Sequence, residues 1–183
     1  MLNRKDYIIP FVGLSAGEHV YEYKIDGRFF DNFEFSEIHE SAILLKVNLL
    51  KQSTMMVLRF DIKGTIQTDC DRCTETFDLA IEGEHKLIVK VGGSDTGNED
   101  DDIITVAANE YELDLAQYIY EYIALSLPIK RTHPDDKKGE STCNKEMLEK
   151  LSIFLTEEEK DEEIDENPTT DPRWDDLKNI TLN

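Results

Sequence analysis

The sequence predicts an α+β fold, an antiparallel sheet that can curl into a half-open barrel, packed by one main helix. Two observations carry this. Apolar residues alternate with polar ones in Ile43, Leu45, Val47 and Leu49, and again in Phe60, Ile62 and Ile66 of a run from about Met55 to Thr68, the period of strands with one buried face. Between Leu113 and Leu127, by contrast, Leu115, Ile119 and Ile123 recur every fourth residue, the period of a helix, and Pro128 ends it.

Taken in order, Lys5 to Phe11 reads as an extended strand ending near Pro10, followed by a turn from Gly13 to Gly17. His19 to Ile25 reads as a second strand with Tyr21, Tyr23 and Ile25 on one face. Asp26-Gly27 is a turn signal, and the aromatic-rich Phe29 to Phe35 fits a short helix or a packed loop. The two alternating segments follow, joined by a polar turn from Lys51 to Thr54. After the cysteines, Phe77, Leu79 and Ile81 alternate again, and Gly83 marks an expected bulge before Leu87, Val89 and Val91. These strands make an antiparallel meander. Gly92 to Asp102 reads as an acidic mobile loop, and Ile103 to Ala107 as a short strand rejoining the sheet. Beyond the main helix, Asn144 is placed to cap a second one carrying Leu148, Leu151 and Leu155. The organisation expected is one α+β domain over 1–155, an acidic linker over 156–170, and a short helix over 171–183. That last helix starts at Asp171-Pro172, and its stripe of Trp174, Leu177 and Ile180 docks on the domain or on a partner.

The 183 residues carry a net charge of −20, unevenly spread. Residues 1–93 hold 11 Lys/Arg against 15 Asp/Glu; residues 94–183 hold 9 against 25. Such a second half repels phosphate and anionic lipid within about 8 Å at physiological salt, which argues against DNA and membrane partners and favours a basic protein. Three cysteines cannot all pair with one another, and the opening residues lack the apolar core of a signal peptide, so a cytoplasmic location is expected. The chain is also expected to be a monomer.

Cys70-Asp71-Arg72-Cys73 carries the chemistry. Two thiolates three residues apart can grip one metal ion, and tetrahedral zinc needs two more donors. Cys143 is the one other cysteine, and His133 lies ten residues before it in a polar loop, so Cys70, Cys73, His133 and Cys143 make a candidate structural zinc site. Two other readings stay open: a redox dithiol, against which stands the motif's place between two strands, and packed thiols without a role. Lys130, Arg131, Lys137 and Lys138 surround His133, with Arg72 inside the cysteine turn, and would form a phosphate- or partner-contacting patch unless Asp135 and Asp136 neutralise it. His19, His39 and His85 read as surface or sheet residues, and Tyr118, Tyr120 and Tyr122 as core. A phosphate-cradling glycine loop and a nucleophile elbow are both missing, which argues against an enzyme.

Ile8-Ile9-Pro10-Phe11, Ile25-Asp26-Gly27-Arg28-Phe29-Phe30, the cysteine turn, Leu125-Ser126-Leu127-Pro128 and Asp171-Pro172-Arg173-Trp174-Asp175-Asp176-Leu177 together resemble the YceD family of bacterial and plastid proteins, in a Bacteroidetes-type version. The resemblance implies a role in ribosome assembly, in accumulation of large-subunit ribosomal RNA, with no enzymatic activity. It also implies, as partner, a ribosomal protein or the large-subunit ribosomal RNA precursor. Cys70, Cys73, His133 and Cys143 match the family's Cys/His positions; zinc rests on their spacing. The competing classes are a metal- or dithiol-dependent enzyme and a protein adaptor unrelated to ribosomes. The long acidic insert before Asp171 departs from shorter members.

Overall fold

A computed structural model of the chain describes residues 4–92 and 102–161. They divide into two units, Met1–Thr142 and Cys143–Asn183. The first is α+β. Its main sheet has five strands in the order β2 (Gly17–Asp26), β3 (Ser41–Lys51), β4 (Met55–Asp69), β5 (Thr76–Val91) and β6 (Ile103–Val106). A second sheet pairs β1 (Ile8–Ile9) with β7 (Leu113–Asp114).

The alternation read from the sequence sets the inner face. Ile43, Leu45, Val47 and Leu49 of β3 are buried beside Met56, Leu58, Phe60, Ile62 and Ile66 of β4 and Ile81, Leu87 and Val89 of β5. Helix α2 (Ala116–Leu125) lays Ala116, Ile119, Tyr122 and Ile123 into this core, with the Tyr122 ring 4.9 Å from that of Phe60. A second aromatic group, Tyr7, Phe29, Phe30 and Phe33, closes one end.

Several expectations change. The sheet is open and mixed: β2 to β5 are antiparallel, but β6 joins β5 in parallel, Ile88 opposite Ile103. The expected strand from Lys5 to Phe11 is a 3-10 turn (Arg4–Tyr7) followed by two paired residues. Pro10 has no N–H to extend the ladder. Asp26 does not turn a hairpin; its side chain accepts from the Arg28 N–H at 3.2 Å and caps the one-turn helix α1 (Gly27–Phe30). The main helix begins three residues later than expected, because Leu113 and Asp114 pair with β1. Gly83 marks no bulge, since the β4–β5 register runs unbroken from Asp69 opposite Thr76 to Met55 opposite Lys90. It is a clearing instead: a Cβ there would collide with Ser126 Oγ at the end of α2.

In the second unit, Asn144 Oδ1 accepts from the Glu146 N–H at 2.9 Å and caps α3 (Lys145–Asp161). That helix runs into the first part of the expected linker. Residues 162–183, with Trp174, Leu177 and Ile180, lie outside the described residues, as do residues 93–101 of the expected acidic loop. No helix among the described residues is long and apolar enough to cross a membrane.

Candidate metal centre

The site begins with a tight turn between the two longest strands. Asp69 pairs with Thr76, whose hydroxyl donates to Asp69 Oδ1 at 2.7 Å. Inside this frame the Cys70 N–H donates to the Glu75 carbonyl and the Thr74 N–H to the Cys70 carbonyl, each at 2.9 Å. To close so small a loop, Thr74 adopts φ +59°, the left-handed region that a β-branched residue rarely enters. Cys70 and Cys73 are both about 1% exposed.

The second set of residues comes from the loop after α2, which is tied to the turn reciprocally. The Asp71 N–H donates to the Arg131 carbonyl at 2.7 Å, and the Arg131 N–H donates to Asp71 Oδ2 at 2.6 Å. Two residues further on, His133 Nδ1 lies 3.4 Å from Cys73 Sγ, its ring against Phe77 at 4.5 Å between centroids. The chain then doubles back. Asp136 Oδ1 accepts from the N–H groups of Lys138 and Glu140, Gly139 takes φ +80°, Asp135 bridges to Ser141, and the Thr142 hydroxyl donates to the Pro134 carbonyl. This return leads straight to Cys143, also buried.

The donor atoms of Cys70, Cys73, His133 and Cys143 all lie within 4.8 Å of one another. A tetrahedral zinc with Zn–S near 2.3 Å and Zn–N near 2.0 Å separates its donors by about 3.6–3.8 Å, so the four fit one ion. None of the thiols is in a disulfide. Three thiols and one imidazole are soft donors suited to zinc, and the set can bind a metal ion. Burial works against ionising Cys70, but the N–H groups of Cys73, Arg72 and His133 and the His133 side chain outweigh it, drawing the thiol down to about 6. The turn therefore favours the thiolate that a metal requires.

The five basic residues around the turn divide. Arg72 Nη1 donates to Ser141 Oγ at 3.2 Å, and Arg131 reaches Glu37 at 3.5 Å and Asp71 at 4.0 Å, so both arginines hold the loop. Lys130, Lys137 and Lys138 are exposed. Asp71 and Phe77 contact the loop that carries His133, and neither stands out in the sequence. Asp71 looks like one carboxylate among many in an acidic chain, and Phe77 like one more step of strand alternation.

A family model described as large ribosomal RNA subunit accumulation protein YceD matches residues 58–181, well over half of the chain, and takes in β4 from Leu58 on, the cysteine turn and all four candidate donors. No curated protein and no solved structure matches.

Proposed function

Because this chain belongs to the YceD family of large ribosomal RNA subunit accumulation proteins, we propose that it is a non-enzymatic accessory of large-subunit assembly. It holds a nascent component, a ribosomal protein or the ribosomal RNA precursor, while the RNA accumulates. The observation that carries this is the family match across the whole Cys/His cluster. The acidity of the second half favours a basic ribosomal protein as the component held. An RNA contact would draw on Arg72, Lys130, Arg131, Lys137 and Lys138, of which the three lysines are exposed and the two arginines also make contacts within the loop.

The Cys/His cluster supports a structural role for zinc. Four donors fill a tetrahedron, whereas a catalytic zinc keeps a position open for water or substrate. The lowered Cys70 thiol is the one feature that favours the competing reading, a dithiol or metal-dependent enzyme. Metal analysis separates the two. One tightly held zinc with unreactive thiols supports the accessory; a metal-free dithiol that cycles readily supports the enzyme. The functional test is depletion of the protein, followed by sedimentation of the lysate. The proposal expects co-migration with large-subunit precursors and a fall in large-subunit ribosomal RNA relative to small. Unchanged RNA and no co-migration overturn it.

A further inference from the structure

Strand β2 forms one edge of the main sheet and runs ten residues, Gly17–Asp26, without proline or bulge. Its backbone orientation follows from two hydrogen bonds. The Gln52 N–H donates to the Met55 carbonyl, so even-numbered residues of β3 face β4 and odd-numbered ones face β2. Consistently, the Ser41 hydroxyl reaches the Ile25 carbonyl from β3. The N–H and C=O groups of Glu18, Val20, Glu22 and Lys24 therefore point to the open side. Among the described residues, none bonds to them. A long, straight edge with free backbone groups is a template for another strand.

Side-chain charge identifies the strand that fits. Registers in which outward-facing residues meet differ by steps of two. For a second copy of β2 running antiparallel about a two-fold axis, four such registers overlap over seven residues or more. Centred on Val20, Glu18 meets Glu22 of the second copy, twice. Centred on Glu22, that residue meets itself and Glu18 meets Asp26. Centred on Tyr21, Glu18 meets Lys24 of the second copy, twice, and Val20 meets Glu22. Centred on Tyr23, Glu22 meets Lys24 of the second copy, twice, but only seven residues of each strand overlap. The Tyr21 register overlaps nine, and of the registers that long it alone joins opposite charges and sets no like charges opposite each other. In it, on the inner face, Tyr21 meets its own counterpart and His19 meets Tyr23. Tyr21 and Tyr23, now half-buried at the edge, would gain cross-strand aromatic contacts.

We infer that β2 is a self-association edge: two copies pair antiparallel about Tyr21, closed by two Glu18–Lys24 contacts, into one continuous sheet. The sequence reading expected a monomer; the open edge argues for a dimer, independently of the ribosomal reading.

Sedimentation equilibrium of the full chain at physiological ionic strength tests this, with four variants. Lys24→Glu turns both contacts repulsive and raises the dissociation constant roughly ten-fold or more. Adding Glu18→Lys restores it to within about three-fold of the parent, because the swapped charges pair again. Lys46→Glu, with the same charge change on the outer face of β3, leaves it unaltered. Val20→Pro removes an outward N–H, leaves the β2–β3 ladder intact and abolishes the dimer. The inference is overturned if the parent protein sediments as a monomer throughout, or if Lys24→Glu and Val20→Pro remain dimeric. It is also overturned if the Val20 amide is protected from hydrogen exchange in a monomeric species, which would mean that another segment of the chain covers the edge.

Discussion

Gly83→Ala tests the packing of α2 on the sheet. In a strand, replacing glycine by alanine ordinarily helps by about 0.5–1 kcal/mol. Here the sign reverses. The new Cβ would overlap Ser126 Oγ and lie 3.0 Å from Ser126 Cβ and 3.1 Å from His85 Nε2. Ser126 cannot step aside freely. Its hydroxyl gives its one proton to the Tyr122 carbonyl at 2.6 Å, so it must accept from His85 Nε2–H at 2.9 Å. Rotating it forfeits both bonds, at about 1 kcal/mol each, and leaving it in place costs about 1–3 kcal/mol of overpacking. Gly83→Ala should therefore destabilise by about 2–3 kcal/mol, lowering Tm by roughly 4–12 °C in a chain of this size. The assay is urea unfolding of the parent, Gly83→Ala, Ser126→Gly and the double variant. Ser126→Gly removes the colliding group, so the double variant should be more stable than the two single losses added together, by about 1 kcal/mol or more. A neutral or stabilising Gly83→Ala, or strict additivity, would refute the reasoning.

Three further outcomes are expected. Zinc at a hundred-fold excess over its dissociation constant should stabilise the protein by about 2.7 kcal/mol in thermal melts; chelation should remove that gain, and Cys73→Ser should abolish both the gain and the bound metal. Asp71→Ala, which frees the His133 loop without touching a donor, should lower zinc affinity roughly ten- to hundred-fold in a chelator competition. His85 gives a pH signature: burial of its ring, stacked on Tyr122 at 4.6 Å, lowers its pKa below the ordinary 6.5, against the opposing pull of Asp102. The folded state thus prefers the neutral ring, and the unfolded chain takes up the proton first as pH falls. The stability due to His85 is full above pH 6.5 and is lost as pH drops through the lower folded value; urea titrations from neutral to mildly acidic pH should show this in the parent and not in His85→Gln.

The inner faces of β2, β3 and β4 were legible in the sequence because burial on one side imposes a two-residue period. The direction of β6 was not, since Ile103, Ile104, Thr105 and Val106 look alike whichever way the strand runs. Leu113 reads as helical because its apolar side chain continues the helical period, and nothing local shows that its backbone is claimed by Ile9. Gly83 reads as a bulge for a related reason: a glycine announces missing space without saying what fills it, and Ser126 lies far along the chain. That Cys70, Cys73, His133 and Cys143 form one candidate cluster is legible because thiols are scarce here. The engagement of Arg131 was not, because Glu37 is one acidic residue among forty and 94 positions away.

The pairing of β1 with β7 bears on the order of events during synthesis. Strands β3 to β5 each pair with the strand made just before, so most of the sheet can assemble as the chain emerges. The inner face then waits for α2, β1 waits for Leu113 and Asp114, and the two cysteines wait for His133. At roughly 5–20 residues per second that interval lasts on the order of seconds, with a bare apolar sheet exposed on the ribosome. A chain halted after β5 would not be a smaller domain. It would be an uncovered sheet prone to aggregate, and timely translation through residue 125 is part of what makes this fold safe to build.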